Sequence, residues 1–223
     1  MNDKLVKLLK TVDHTQLSVA AREVDYIVLC NEAKEYNVAS VCVPPSRVKL
    51  CADKLKGAVA VCTVVGFPNG YSSSKVKAFE AKTAIEDGAT EIDMVIDVGL
   101  VKDGNFDAVL ADIKEVRATT QGYILKVIIE TSMLTQDEKL ELCKVVSQSG
   151  ADYIKTSTGF GGGGATFDDV KLLRENVAPN VKVKAAGGIS TLDDGENFIN
   201  IGAERLGTSR IIKLIKGMTT DGY

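Results

Sequence analysis

The sequence predicts one α/β domain, residues 1–223, folded as a closed (β/α)8 TIM barrel. Three observations carry that expectation. Short β-branched runs alternate with amphipathic stretches, the pattern of βα units around a parallel sheet. Eight such runs are present. The chain length of 223 lies near the lower end of the range for this barrel. A doubly wound open sheet is the structural rival. It is weakened by the strand count and by the lack of a GxGxxG fingerprint after the first strand. Four prolines and no Ser/Pro-rich tract argue against a second domain.

The predicted strands run, in order, over residues 12–17, 39–43, 58–65, 91–98, 123–130, 153–156, 181–186 and 205–207. The stretches between them read as helices. Phe106, Val109, Leu110, Ile113 and Val116 repeat at the spacing of one buried helical face. Thr135 with Glu138 and Thr166 with Asp169 have the spacing of capping boxes that open the helices following them. Gly88, Gly122 and Gly150 stand where the preceding helices should stop.

Composition narrows the chemistry. His14 is the sole histidine, so a catalytic zinc site lacks its usual ligands and a Ser-His-Asp site would rest on that one ring. No metal and no cofactor is expected. Lys and Arg total 27 against 30 Asp and Glu, interspersed, which argues against nucleic acid or an anionic membrane as partner. Apolar runs such as 59–65 are too short to span a bilayer. The N-terminal stretch has neither an apolar signal core nor a small-residue cleavage site, so a cytoplasmic location is expected. The cysteines at 30, 42, 51, 62 and 143 form no CxxC pair and read as free, mostly buried thiols.

Strands covered by helices are normally apolar throughout, and several here are not. Side chains alternate along a strand, so Asp93 and Asp97 share one face of EIDMVID, opposite Ile92, Met94 and Ile96. Lys126 shares a face with Glu130, Lys155 with Tyr153 and Ser157, and Lys182 with Lys184. The apolar faces belong against the helices, so these charges should point into the barrel. One such residue would read as a structural ion pair, because a buried charge is costly unless paired. Asp93, Lys155 and Lys184 on separate strands read instead as a polar network near the C-terminal mouth, where barrel active sites lie. Two crowded lysines favour loss of one proton, and a neutral amine attacks carbonyls to form a Schiff base. A nearby carboxylate such as Asp93 can then move protons, directly or through water. Spacing alone leaves open which lysine is the nucleophile.

The seventh strand is followed by AAGGIS and the eighth by LGTSR, the positions where barrels frequently hold a phosphate. Gly187 and Gly188 would let backbone amides approach an anion. Gly207, Thr208 and Ser209 would add amides and hydroxyls, with a helix over 209–215. The run Gly161–Gly164 reads as either a flexible cover or a plain loop.

On these residues the sequence resembles the deoxyribose-phosphate aldolase family, class I aldolases with a (β/α)8 fold. The likeness runs through DHTQL (13–17), SVCVPP (40–45), VCTVVGFPNG (61–70), EIDMVIDVG (91–99), LKVIIET (125–131), YIKTSTGF (153–160), VKAAGGI (183–189) and RLGTS (205–209). The resemblance implies reversible cleavage of 2-deoxy-D-ribose 5-phosphate to acetaldehyde and D-glyceraldehyde 3-phosphate, as in deoxyribonucleoside catabolism. By motif it makes Lys155 the Schiff-base former, Lys184 the neighbour that tunes it, and Asp93 a participant in proton transfer at carbon 2 through water. Asp13, Lys126 and Thr158 match polar positions near the substrate, and Cys42 a bystander cysteine. Gly159, Gly187, Gly188, Gly207, Thr208 and Ser209 match phosphate binding, and the terminal Tyr223 a tyrosine that in some members reaches over the site. Another phosphosugar barrel enzyme and a non-catalytic sugar-phosphate binding barrel are the rival readings. His14, beside Asp13, is expected to have a structural hydrogen-bonding role. A homodimer or higher homo-oligomer through outer helix faces is expected, with no patch identifiable.

Overall fold

Eight parallel strands close on themselves: β1 (Val12–Thr15), β2 (Ser40–Val43), β3 (Ala60–Val65), β4 (Glu91–Val95), β5 (Ile124–Ile128), β6 (Tyr153–Lys155), β7 (Lys182–Ala186) and β8 (Arg205–Thr208). Each pairs with the next, and β8 returns to β1. The structure is a computed structural model and describes residues 3–218. Helices alternate with the strands: α1 (Asp3–Leu9), α2 (Glu23–Tyr36), α3 (Val48–Leu55), α4 (Ser74–Glu86), α5 (Val98–Lys102), α6 (Phe106–Thr119), α7 (Gln136–Ser149), α8 (Phe167–Asn176), α9 (Leu192–Asn200) and α10 (Ile211–Ile215). The predicted (β/α)8 barrel is therefore the observed one. No helix among the described residues is long and apolar enough to cross a membrane.

Alternation along the strands creates two separate apolar cores. Ile92, Met94, Leu125, Val127, Ile154, Val183 and Leu206 are fully buried and belong to the large core shared with the helices. On α6, Val109, Ile113 and Val116 join them, while Phe106 and Leu110 flank that stripe half-buried. Burying each such aliphatic side chain stabilises the fold by about 1.5–3 kcal/mol. The second core is small: Leu17, Cys42, Cys62 and Val64, with Phe67 packed on it, inside the barrel. The outer layer also holds a buried ion pair, Lys77 to Asp112 at 2.7 Å, joining α4 to α6.

The local signals behave as their chemistry dictates. Thr135 and Glu138 form the complete capping box of α7, and Gly150 ends that helix in the left-handed conformation. Thr166 caps α8 by accepting from the Asp169 amide. Gly88 and Gly122 stand just past the ends of α4 and α6 with positive φ.

Several boundaries differ from expectation. β4 stops at Val95 because Asp97 turns to accept the Gly99 amide at 2.9 Å and becomes the cap of α5. Asp97 therefore does not share the interior face of Asp93. β5 stops at Ile128, and Glu130 takes a left-handed backbone (φ 54°) that starts a 3-10 turn over Thr131–Met133. Lys182 stands at the N-terminal rim of β7 and is exposed, its ammonium 5.7 Å from the Tyr153 ring. α10 starts at Ile211 rather than 209, because the Arg210 amide donates to the Thr208 hydroxyl in a turn that competes with helix. Tyr223 lies outside the described residues.

Candidate active site

Strand register places the charges side by side. Asp93 on β4 stands opposite Lys126 on β5, Lys155 on β6 opposite Lys184 on β7, and Lys184 opposite Arg205 on β8. All point inward, and all but Lys155 and Arg205 are buried to 0 % exposure. Asp93 is the hub. Its Oδ2 accepts from Lys155 at 2.8 Å and Lys184 at 2.6 Å. Its Oδ1 accepts from Lys126 at 2.8 Å and the Cys62 thiol at 3.2 Å. A second layer lies below. Asp13 meets Lys184 at 2.5 Å and Arg205 at 2.6 Å, and accepts from Ser40 at 2.7 Å. Glu91 meets Lys126 at 2.6 Å and Arg205 at 2.9 Å.

For Asp13, Asp93, Lys126, Lys184 and Arg205 burial disfavours the charged form, and the opposite charges outweigh it. Lys126, Lys155 and Lys184 hold the Asp93 carboxyl well below the usual carboxylate range. Lys184, Lys126 and Arg205 do the same to Asp13. Conversely, Asp13 and Asp93 raise Lys184 above an ordinary lysine, and Asp93, Cys62 and Asp13 raise Lys126 well above it. Crowding alone suggested that one of two neighbouring lysines would be pushed down. For Lys184 the direction is upward, because two carboxylates flank it. Lys184 is thus a fixed ammonium, fully buried, whereas Lys155 lines the open cleft. Geometry separates the two lysines that spacing left equivalent.

The cleft has a volume of ≈ 450 Å³ and opens at the C-terminal ends of the strands. Lys155, Thr15 and Leu17 contribute to its wall. The rest of the wall is supplied by Thr158 and Gly159 after β6, Gly187 and Gly188 after β7, and Gly207, Thr208 and Ser209 from β8 onward. These predicted residues therefore come together. Both Gly187 and Gly188 have φ +71°, and a Cβ on Gly188 would stand 2.5 Å from the Ala165 carbonyl oxygen. Glycine is required there so that three loops can meet with their backbones turned to the cleft. The run Gly161–Gly164 is packed at its two ends, while Gly162 between them is exposed and a Cβ there would meet nothing within 4 Å. A Cβ on Gly161 would meet Glu130 at 2.6 Å, and one on Gly164 the Gly188 amide nitrogen at 2.6 Å.

Of the other predicted residues, Asp13 and Lys126 lie in the ion network rather than on the cleft wall. Cys42 is buried in the small inner core. His14 points outward to Glu32, Nε2 to Oε2 2.8 Å, which is the structural role expected. Sequence reasoning gave no role to Glu91, Arg205 and Arg210, and placed Glu130 only on the inward face with Lys126. Glu91 precedes Asp93 by two residues and Arg205 opens β8 two residues before Gly207, so strict alternation would have found both. Glu130 is buried and its Oε2 accepts from the amide and hydroxyl of Thr158, fixing the cleft wall. Arg210 lines the cleft, with its guanidinium donating to the Ser190 hydroxyl at 3.1 Å.

Among the described residues, two groups bring metal-ligating atoms within 4.8 Å of one another: Cys42, Cys62 and Asp93, and Asp13, Cys62 and Glu91. Their carboxylates are already engaged by ammonium and guanidinium groups, so a dication would face Lys126, Lys155, Lys184 and Arg205.

A barrel whose lysine-rich interior opens onto a glycine-walled cleft has the architecture of an enzyme that combines amine chemistry with a small anionic substrate. Comparison with known proteins specifies the class further. The chain belongs to the DeoC/LacD family of aldolases, whose model matches residues 7–205. It is 51% identical over 216 residues to the deoxyribose-phosphate aldolase of Clostridioides difficile (strain 630), covering 97% of this chain and 99% of that one. It is 53% identical over 218 residues to that of Streptococcus pyogenes serotype M12 (strain MGAS2096), covering 97% and 98%. Among solved structures, an aldolase called QR15 superposes with a TM-score of 0.90 at 35% identity, covering 97% of each chain. The tetrameric deoxyribose phosphate aldolase of Aeropyrum pernix superposes with a TM-score of 0.85 at 29% identity, covering 97% of this chain and 99% of that one.

Proposed function

We infer that the protein is a class I aldolase that reversibly cleaves 2-deoxy-D-ribose 5-phosphate to acetaldehyde and D-glyceraldehyde 3-phosphate, and that Lys155 is its nucleophile. The observation that carries this reading is the placement of Lys155. It is the one lysine of the interior network that lines the cleft, and it shares a single oxygen of Asp93 with a permanently charged neighbour. The network sets four cations, Lys126, Lys155, Lys184 and Arg205, against three carboxylates, Asp13, Glu91 and Asp93. With Lys155 as the neutral amine that attack on a carbonyl requires, three cations face three carboxylates.

The neutral amine attacks the substrate aldehyde at carbon 1, and loss of water leaves an iminium ion. That ion accepts the electron pair of the breaking bond between carbons 2 and 3, as the carbon 3 hydroxyl gives up its proton to become the departing aldehyde. That proton passes through water to Asp93, whose carboxyl the ammonium groups around it keep acidic, so that Asp93 hands it on rather than keeping it. Reprotonation at carbon 2 and hydrolysis release acetaldehyde and restore Lys155. The phosphate rests on the turns of Gly187, Gly188, Gly207, Thr208 and Ser209, with Thr158 and Gly159 closing the wall. Asp13 and Lys126 act one layer away by holding Lys184 and Asp93. No cofactor enters these steps. A homo-oligomer and a cytoplasmic location belong to the same proposal, the latter supported by five buried free thiols.

Trapping tests the reading. Borohydride with acetaldehyde should add a stable two-carbon group to Lys155, located by peptide mapping, and Lys155→Ala should abolish both mark and turnover. A mark elsewhere, or an active Lys155→Ala, refutes the assignment. A panel of phosphosugars then separates this substrate from those of other barrel enzymes.

A further inference from the structure

Cys42 and Cys62 have no step in this mechanism, yet they lie beside its hub. They are Cα partners on β2 and β3 and share the interior face. Neighbouring strands lie about 4.8 Å apart, inside the ~4.4–6.8 Å Cα separation of disulfides. Both thiol sulfurs and an Asp93 oxygen lie within 4.8 Å of one another. The Cys62 thiol donates to Asp93 Oδ1 at 3.2 Å and sits 3.3 Å from the Lys126 ammonium. The small core holding the pair is bounded by Leu17, which lines the cleft, so a small oxidant has a short route to it.

We propose that Cys42 and Cys62 are a redox-sensitive dithiol, and that its oxidation to a disulfide withdraws Cys62 from Asp93 and suppresses turnover reversibly. The effect on turnover rests on the aldolase reading above; the disulfide itself does not. Hydrogen peroxide serves as the oxidant. It converts the Cys42 thiol to a sulfenic acid with release of one water. The Cys62 thiol then attacks that sulfur, expels a second water and closes the S–S bond. The two thiols lose two electrons and two protons, and the peroxide becomes two waters. The order follows from the surroundings. The neighbouring Cys62 thiol, aided by Lys184 and Lys155, lowers the Cys42 thiol, whereas burial, the Cys42 neighbour and the Asp93 carboxylate raise Cys62 well above an ordinary thiol. Side chains that leave adjacent parallel strands in the same direction make a strained disulfide, and strained disulfides are readily reduced.

The experiment treats the full chain with hydrogen peroxide and maps peptides without reduction. Trapping of acetaldehyde at Lys155 is measured before oxidation, after it, and after dithiothreitol. The expected result is a peptide joining Cys42 to Cys62, with trapping reduced by at least about tenfold and restored by dithiothreitol, since proton-transfer catalysis contributes roughly 10²–10⁴-fold. In Cys62→Ala, peroxide should carry Cys42 to the sulfinic acid, with no recovery in dithiothreitol. Three results would overturn the proposal: both thiols staying reduced, a cross-link only between other cysteines, or full-rate trapping in the linked protein. Absence of trapping in the untreated protein would refute the aldolase reading instead, with the peptide map still deciding the disulfide.

Discussion

Replacing Lys155 should separate stability from activity. In Lys155→Leu, Asp93 loses one of its four donors and keeps Lys126 at 2.8 Å, Lys184 at 2.6 Å and the Cys62 thiol. The interior then holds three cations against three carboxylates. Exchanging a buried charge for an apolar side chain is commonly neutral or stabilising by about 1–4 kcal/mol, while leaving a partner unpaired costs about 3–5 kcal/mol. Lys155→Leu, which strands no partner, should therefore stay within about 1 kcal/mol of the parent or exceed it. Asp93→Asn changes the balance to four cations against two carboxylates and should lose about 3–5 kcal/mol. For a chain of this size, 1 kcal/mol moves Tm by roughly 2–4 °C. The first variant should thus melt close to the parent and the second about 6–20 °C lower. Calorimetry and urea titration read the stability, and borohydride trapping reads the chemistry, which should vanish in Lys155→Leu. A loss above about 3 kcal/mol in Lys155→Leu, or unchanged melting in Asp93→Asn, would refute the charge-balance argument.

Two further substitutions probe the cleft and the outer shell. Gly188→Ala forces a side chain onto φ +71° and against the Ala165 carbonyl oxygen, so it should destabilise by at least about 1 kcal/mol. It should also raise KM for the phosphorylated substrate far more than for deoxyribose, which steady-state kinetics on both sugars will show. The His14 hydrogen bond, opposed by burial and supported by Lys216, pulls the Glu32 carboxyl down to about 2. A carboxyl lowered on folding adds stability above its ordinary value near 4.5, and that contribution fades as pH falls towards 2. His14→Ala should therefore be less stable than the parent at pH 6, by roughly 1–2 kcal/mol, with the gap closing towards pH 2. A pH-independent gap in urea unfolding would show that the pair is not its source.

Much of this architecture was legible because local rules and tertiary packing agree. The alternation of β-branched runs and helical stripes gives eight βα units, and period-two placement puts Asp93, Lys126, Lys155 and Lys184 on inward faces. The glycines after β7 and β8 announced the cleft wall. The same rule failed where a strand stopped early. Asp97 and Glu130 lie beyond the ladders, one drawn off by a helix cap and the other by a left-handed turn. Lys182 satisfies the alternation but sits so near the lower rim that its stem reaches water.

The sequence by itself determined the barrel, the lysine-rich interior, the glycine turns and the motifs of the family, because hydrophobic period and backbone freedom are local properties. Spacing left Lys155 and Lys184 equivalent and the family motif separated them by resemblance; the tertiary structure supplied a physical difference, namely which carboxylates close around each ammonium. Asp13 reaches Lys184 from β1, 171 positions earlier in the chain, and that contact keeps Lys184 charged while Lys155 faces the cleft. It also joined Arg205 to Glu91 and Cys42 to Cys62. Charge pairing falls off with distance through space rather than along the chain, so barrel closure had to bring these groups together before their roles could differ.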